Sequence, residues 1–396
     1  MNTQGLIFPS TSAGPKRSPV AYQHDFLQQA PVEETPGYLT EQLLTYIGNK
    51  RALIPEIDQV TTTIRQRLGG RRLRILDAFS GSGVVARYFK RHAEFLATID
   101  LEEYAAVTAR CYLANSNAFI VSELAALVSD LNRRVDSIDL PMGFIEELYA
   151  PRDSQSISKE DRVFYTRRNA RRLDNYRRMI SQAPPDLMDF LLGPLLSEAS
   201  IHANTSGVFK GFHKDRHSKI GRFGGTNGDA LKRILGDIEL SLPILSRFDC
   251  DVCVYCGDTN RIAPTIPNLD IVYLDPPYNQ HPYGSNYFML NLLVAYQRPT
   301  HISKVSGIPI DWKRSDYNVR TQSAASFQKL VESLDARYLL VSFNDEGFIH
   351  RSEMLSILSR LGHVTVVEIK YNTYRGCRNI QNRKKHVTEH MFLVER

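Results

Sequence analysis

Cysteine is scarce: five residues in a chain of 396, odd in number and unevenly placed. That excludes a disulfide scaffold and suits a reducing cytoplasm. Long apolar runs are missing too. The longest span only a few residues, so no segment is predicted to cross a bilayer. The N-terminus lacks the charged-then-apolar layout of a secretory signal, which sets the expectation of a cytoplasmic protein. No internal repeat is present. Apolar residues make up 42% of the chain, enough for a real core. The net charge of +6, with a pI near 8.9, permits a polyanionic partner without requiring one.

The periodicity organises the chain. Residues 1–37 are rich in Pro, Ser, Thr and Gln, have no clear period, and read as a loose arm. "TEQLLTYIGNKRALIPEIDQVTTTIRQRL" predicts helix on both sides of a glycine. "RRLRILDAFSGSGVVARYFK" reads strand, glycine turn, helix, and "AEFLATIDLEEYAAVTARCYLANS" repeats strand then helix. This βαβα start predicts a parallel sheet with helices on its faces. The stretch 116–240 changes to helical segments followed by the glycine-rich, basic, aromatic "ANTSGVFKGFHKDRHSKIGRFGGTNG". Strands resume with "CDVCVYCGD", "LDIVYLDPPY" and "ARYLLVSFNDEG". "HVTVVEIKYNTY" and "KHVTEHMFLVE" close the chain as an expected antiparallel hairpin. The expectation is one α/β domain in two stretches, 38–115 and 241–396, interrupted by a mostly helical insertion at 116–240.

"DAFSGSG" ends a strand and opens a helix. Gly81 and Gly83 let backbone approach a ligand with no Cβ in the way, and the helix N–H groups attract an anion. Residue 86 is Ala where a dinucleotide fingerprint places its third glycine, a position that tolerates Ala. Asp100 ends the next strand, where an acid can accept ribose hydroxyls. Turn and acid together point to a nucleoside-containing cofactor without saying which. A plain tight turn and a helix-capping acid are the bland alternatives.

At "DIVYLDPPYNQHPYGSNYF" an apolar run climbs into Asp275, Pro276, Pro277 and Tyr278. Paired prolines neither donate to a ladder nor continue a helix, so regular structure is expected to stop at Asp275. What remains is a stiff rim of acceptors, the Asp275 carboxylate and the Pro276 carbonyl, suited to an amino group with two hydrogens. An exocyclic NH₂ on adenine or cytosine is such a group. Tyr278 offers a stacking face, and a base within a duplex reaches the rim only if extruded.

Basic charge concentrates in the insertion. From Arg152 to Arg233 there are sixteen Lys/Arg against nine Asp/Glu, an excess above the net charge of the whole chain. "FYTRRNARRLDNYRRM" repeats arginine at helical spacing, which reads equally as a solvated face or as a phosphate-neutralising surface. Cys250, Cys253 and Cys256 have C-x₂-C-x₂-C spacing, yet the intervening residues read as a buried strand with Cys253 on the opposite face. His213 and His217 lack further ligands, so no metal is expected.

These blocks resemble the Dam-like, amino-group DNA methyltransferases. In order they are "YIGNK", "DAFSGSG", Asp100, "DPPYNQHPYGSNY", "SFNDEG", "YNTYRG" and "HVTEHMFLV". The resemblance implies a Rossmann-like, S-adenosylmethionine-dependent methyltransferase sheet, with 116–240 as the target-recognition insertion. It implies that Tyr46, Gly48 and Lys50 hold the methionine end of the cofactor, with Lys50 on its carboxylate. Asp77, Phe79, Ser80, Gly81 and Gly83 form the turn beneath, Asp100 binds ribose, and Asp258 reaches the adenine amine. Asp275, Pro276, Pro277 and Tyr278 hold the target base, with Asp275 also beside the cofactor. Arg167, Arg171, Arg172, Lys210, Lys214, Arg222, Tyr287 and Arg375 are the expected nucleic-acid contacts. The implied reaction is methyl transfer to adenine N6 in double-stranded DNA, as the modification enzyme of a restriction–modification system, with a separately acting endonuclease as an open partner. RNA adenine or DNA cytosine N4 as substrate, and a nicotinamide-dependent oxidoreductase, stay open as alternatives.

Overall fold

The computed structural model describes residues 33–116, 118–225, 228–344, 347–372 and 386–396. Seven strands form one sheet: β1 (Leu73–Asp77), β2 (Ala93–Asp100), β3 (Asp251–Cys256), β4 (Leu269–Leu274), β5 (Ala336–Asn344), β6 (His363–Asn372) and β7 (His386–Glu395). Their order is β3-β2-β1-β4-β5-β7-β6. β1 to β5 pair parallel, whereas β7 runs antiparallel between β5 and β6. The chain reverses direction of winding at β1, with β2 on one side and β4 on the other. In open α/β sheets ligands bind at such a switch point, beyond the strands' C-terminal ends.

Both faces of the parallel strands are apolar because helices cover both. On one face Ile75, Leu96, Ile271 and Tyr273 pack with the helices Ile54–Arg67 and Val84–Phe89. On the other, Leu76, Ile99, Val272 and Leu339 pack against Arg320–Ser333 and Arg351–Leu358. Cys250 joins the first face with Val252 and Val254, while Cys253 and Tyr255 join the second, so these thiols serve as small strand hydrophobes.

A third core joins the insertion to the sheet. The helices Arg167–Ile180 and Met188–Ile201 pack with Glu103–Tyr112 and Phe288–Ala295, which belong to the flanking stretches, in one continuous apolar cluster. The expected helix before Gly48 does not form; residues 36–48 run as turns. Long-range contacts capture this segment instead. Tyr38 is fully buried and donates to the Tyr112 carbonyl at 2.8 Å, while the backbone N–H groups of Thr45 and Ile47 donate to Ser200 Oγ and the Tyr287 hydroxyl.

Candidate active site

A solvent-open cleft of about 1150 Å³ lies over the C-terminal ends of β1, β2, β3 and β4. It is lined by Tyr46, Gly48, Lys50, Asp77, Phe79, Ser80, Gly81, Asp100, Asp258, Asp275 and Pro277; Gly83, Pro276 and Tyr278 lie outside the lining. Local geometry explains how distant stretches meet there. Backbone bonds stitch the glycine turn to both neighbouring strands, Ala78 N–H to the Tyr273 carbonyl and Ser80 N–H to the Ile99 carbonyl, each at 3.0 Å. Gly81 adopts φ +50°, and a Cβ there would come within 3.0–3.3 Å of the Tyr46 ring. Tyr46 itself is stacked on Tyr287 and Tyr283, with centroids 4.7 and 5.1 Å away.

Acids dominate the cleft. Asp100 accepts from the Gly81 and Glu102 N–H groups at 2.7 and 2.9 Å, locking the turn to β2. Burial pushes its carboxyl up, although those donors oppose the shift. Asp77 is buried, and no donor meets either oxygen with good hydrogen-bond geometry, although the Phe79 and Ala86 backbone N–H groups lie close enough to oppose the rise of its carboxyl. Burial first, then the neighbouring Asp275, pushes its carboxyl up to about 8. Glu102, held by Asn291 at 2.6 Å, is pushed up to about 7 by burial. Asp258 caps the short helix Thr259–Ile262. Phe79 meets Tyr317 edge-on at 5.2 Å, and the Tyr317 hydroxyl donates to Asn260. Orphaned acceptors and paired acids suit a cationic ligand, and they disfavour the anionic pyrophosphate of a nicotinamide cofactor.

β4 ends at Leu274 and Asp275 follows in irregular backbone. Lys50 Nζ ion-pairs Asp275 at 2.9 Å and lies 3.4 Å from Glu389 of β7. The Tyr278 hydroxyl donates to Asp275, accepts from Lys50, and sits 3.3 Å from Glu389, which also accepts from Ser342 at 2.6 Å. The Tyr278 ring meets Phe343 edge-on. Burial pushes the Asp275 carboxyl up to about 6, opposed by Lys50 and reinforced by Glu389. Lys50, expected on the cofactor carboxylate, lines the cleft with its ammonium engaged by these acids at the rim. Glu389, Ser342, Glu102, Asn260 and Tyr317 were not expected from the sequence. Only Glu389 had a signal, an acid on a closing strand just before the apolar run Met391–Val394.

The arginines of the helix Arg167–Ile180 are engaged within the protein. Arg167 and Arg171 both grip the buried Glu146 at 2.9 Å. Arg172 is 3% exposed, between Asp136 and Asp237 at 3.3 Å each. Arg177 and Arg178 donate to main-chain carbonyls. Tyr287, expected to contact nucleic acid, is fully buried in the tyrosine stack. Lys210, Lys214 and Arg222 lie on a different segment, which reaches the site when Phe209 N–H donates to the Asn286 carbonyl. Lys210 lies 3.3 Å from His281, Lys214 sits over the Phe212 ring, and Arg222 is near Asp215. Arg375 lies outside the described residues, as do 373–376 of "YNTYRG" and 345–346 of "SFNDEG".

The strand order, with its antiparallel C-terminal part, is consistent with a methyltransferase fold. Residues 46–357 match the family model of D12 class N6 adenine-specific DNA methyltransferases, and the chain belongs to that family. Its relatives include the modification methylase StsI of Streptococcus sanguinis, 27% identical over 89% of this chain and 52% of the relative. The type II methyltransferase M.NlaIII of Neisseria lactamica is 26% identical over 89% of this chain and 99% of its own length. The type II methyltransferase M.CviAII of Paramecium bursaria Chlorella virus 1 is 28% identical, with 88% and 97% covered. The chain thus spans about half of StsI and nearly all of the other two. The family implies an S-adenosylmethionine donor and a DNA substrate, and settles the open alternatives in favour of adenine in DNA. Among the described residues no helix is long and apolar enough to cross a membrane.

Proposed function

We propose that this chain methylates the N6 amine of an adenine extruded from double-stranded DNA, within a particular target sequence, as the modification enzyme of a bacterial or archaeal restriction–modification system. A cognate endonuclease would act as a separate protein, and the enzyme would work in the cytoplasm. The observation that carries the reading is the position of Asp275, at the switch-point end of β4 and on the wall of an acid-lined cleft. The match to modification and type II methyltransferases supports the restriction–modification role.

The cleft residues fit S-adenosylmethionine through Asp77, a buried carboxyl met only by poorly aligned backbone donors, where a cationic ligand would supply a partner. Asp77 and the turn Phe79–Gly83 would hold the methionine end, Asp100 the ribose, and Asp258, Asn260 and the Phe79–Tyr317 pair the adenine. The bound cofactor supplies an activated methyl group on a sulfonium. The chain's own residues do the rest. The Asp275 carboxylate and the Pro276 carbonyl accept from the target amine, drawing its lone pair out of the ring plane. The Tyr278 ring, fixed by its hydroxyl bonds, supplies the stacking surface. Alignment and preorganised acceptors then account for the rate. The insertion, 116–240, would recognise the target, with Lys210, Lys214 and Arg222 on phosphates.

Purified protein is expected to move labelled methyl from S-adenosylmethionine to unmethylated duplex DNA, and sequencing the modified positions gives base and context together. Asp275→Ala should abolish transfer while cofactor binding stays measurable. Near-normal turnover in that variant would refute the assignment.

A further inference from the structure

The sheet order lays out stations for an extended ligand. Across the C-terminal ends of β3, β2, β1 and β4, which neighbour one another in that order, stand Asp258, Asp100, Asp77 and Asp275. On the methyl-transfer reading, on which this inference rests, they meet the cofactor's adenine, its ribose, its methionine end and then the target base. A ribose brings two neighbouring hydroxyls to the β2 station, and two acids stand there. We propose that Glu102 is a second ribose ligand, accepting from one hydroxyl of S-adenosylmethionine while Asp100 accepts from the other.

Asp100 spends part of its accepting capacity on the fold. The Gly81 N–H donates to one of its oxygens at 2.7 Å and the Glu102 N–H to the other at 2.9 Å. Glu102 is engaged differently. It is 3% exposed and lines the cleft. The Asn291 side-chain amide donates to its Oε2 at 2.6 Å, and the Tyr104 N–H donates to Asn291 Oδ1 at 3.2 Å, so the carboxyl is oriented from one side. No donor among the described residues meets Oε1, which lies against Gly284, where a Cβ would stand 2.9 Å from it. Half of a buried carboxyl left without a donor is costly, and a ligand hydroxyl relieves that cost. The nearby Lys313 points its Nζ at the Leu101 carbonyl and at Glu103, each at 3.0 Å. Asn291 belongs to the helix Phe288–Ala295, so it acts as a positioning residue that ties the ribose station to the insertion's core.

The test is titration calorimetry on full-length protein with S-adenosylhomocysteine, which keeps the ribose and cannot turn over, and with its 2′-deoxy and 3′-deoxy forms. Wild-type protein should bind each deoxy form more weakly than the parent, on the order of tenfold. Glu102→Ala should weaken the parent on the order of tenfold to a hundredfold and cancel the penalty for one deoxy form, which then binds within about twofold of the parent. The penalty for the other deoxy form should remain. Glu102→Gln keeps the shape of the side chain, guards against an Ala variant that does not fold, and should shrink the same penalty. Equal weakening of all three ligands in both variants would make Glu102 structural and overturn its role as a ligand. So would wild-type protein that binds both deoxy forms as tightly as the parent. Either result leaves the cofactor reading standing, whereas wild-type protein with no affinity for S-adenosylhomocysteine overturns both.

Discussion

Asp77 shows how one buried carboxyl ties stability to binding. Its folded value is raised to about 8, first by burial and then by Asp275. An unfolded chain releases that proton near pH ~4. Between about pH 4 and 8 the folded state therefore holds a proton the unfolded state has released, and stability falls as pH rises through that window. Asp77→Asn removes the penalty. Its unfolding midpoint is expected to exceed wild type at about pH 8 and to converge with it toward about pH 4, as thermal melts across pH would show. The same substitution removes the ionisable charge assigned to the cofactor and turns one of the two acceptor oxygens into an N–H donor. Wild-type affinity for S-adenosylmethionine should strengthen from about pH 6 to 8, by up to about tenfold per unit, because a cationic ligand favours the ionised carboxylate. Titration calorimetry on the Asn variant should give weaker binding with a flatter profile. A variant that bound as tightly as wild type would remove Asp77 from the cofactor site.

Asp275 gives the complementary profile on catalysis. The target amine needs an ionised acceptor, and the Asp275 carboxyl is pushed up to about 6. Single-turnover transfer should fall as pH drops below that value, approaching about tenfold per unit. A rate flat down to about pH 5 would show that the carboxylate is not required in its ionised form.

At the scale of elements, the two basic segments are engaged differently. In the helix Arg167–Ile180, each arginine is committed to Glu146, to Asp136 and Asp237, or to backbone carbonyls at the ends of neighbouring segments. Arg172→Ala removes a buried, packed side chain from between exposed acids and should cost about 1–3 kcal/mol of stability. It should change the salt dependence of DNA binding little. Replacing Lys210, Lys214 or Arg222 should do the reverse, each lowering the slope of log affinity against log salt by about 1 for every phosphate no longer neutralised. Denaturant titrations and binding at several salt concentrations separate the two sets. If Arg172→Ala flattened the slope as much as Lys214→Ala, the helix would belong to the DNA face after all.

The same contrast explains what was legible in the sequence. Strand alternation, the glycine turn and the halt at Asp275 are local patterns, each set by residues within a few positions, and all appear in the fold. The arginine helix was ambiguous because helical spacing records the charges but not their partners. Glu146 lies 21 residues before Arg167, and Asp237 69 residues after Arg168. The segment before Gly48 misled for a similar reason: its apolar period was real, but Tyr38, Leu43 and Leu44 are buried in long-range contacts, the two leucines in the insertion's core, rather than along a helix face. The candidate site divided in the same way. Asp77 and Asp100 end strands, and Asp275 directly follows one, so they announce themselves; Glu389 and Lys50 come together only when β7 and the turn before the first helix converge on β4.

Over the whole molecule, the insertion is not an appended module. Its helices share one core with Glu103–Tyr112, which directly follows the Asp100 strand, and with Phe288–Ala295, which follows the Asp275 rim. The insertion and the two sides of the cleft therefore rest on the same packing. Gly193 marks the tightest crossing of these helices: a Cβ there would stand 2.6 Å from Cys111 Sγ and 2.8 Å from Cys111 Cβ. Cys111 has little room to withdraw, being fully buried in the helix Glu103–Tyr112. Gly193→Val should force the helices apart at a cost of about 1–3 kcal/mol. Because the insertion shares its core with the flanking stretches, calorimetry should show one unfolding transition in both proteins, moved to lower temperature in the variant. Two resolved transitions, with only one of them moved, would mean that the insertion and the sheet fold independently, and that cleft geometry and target recognition are coupled only through DNA.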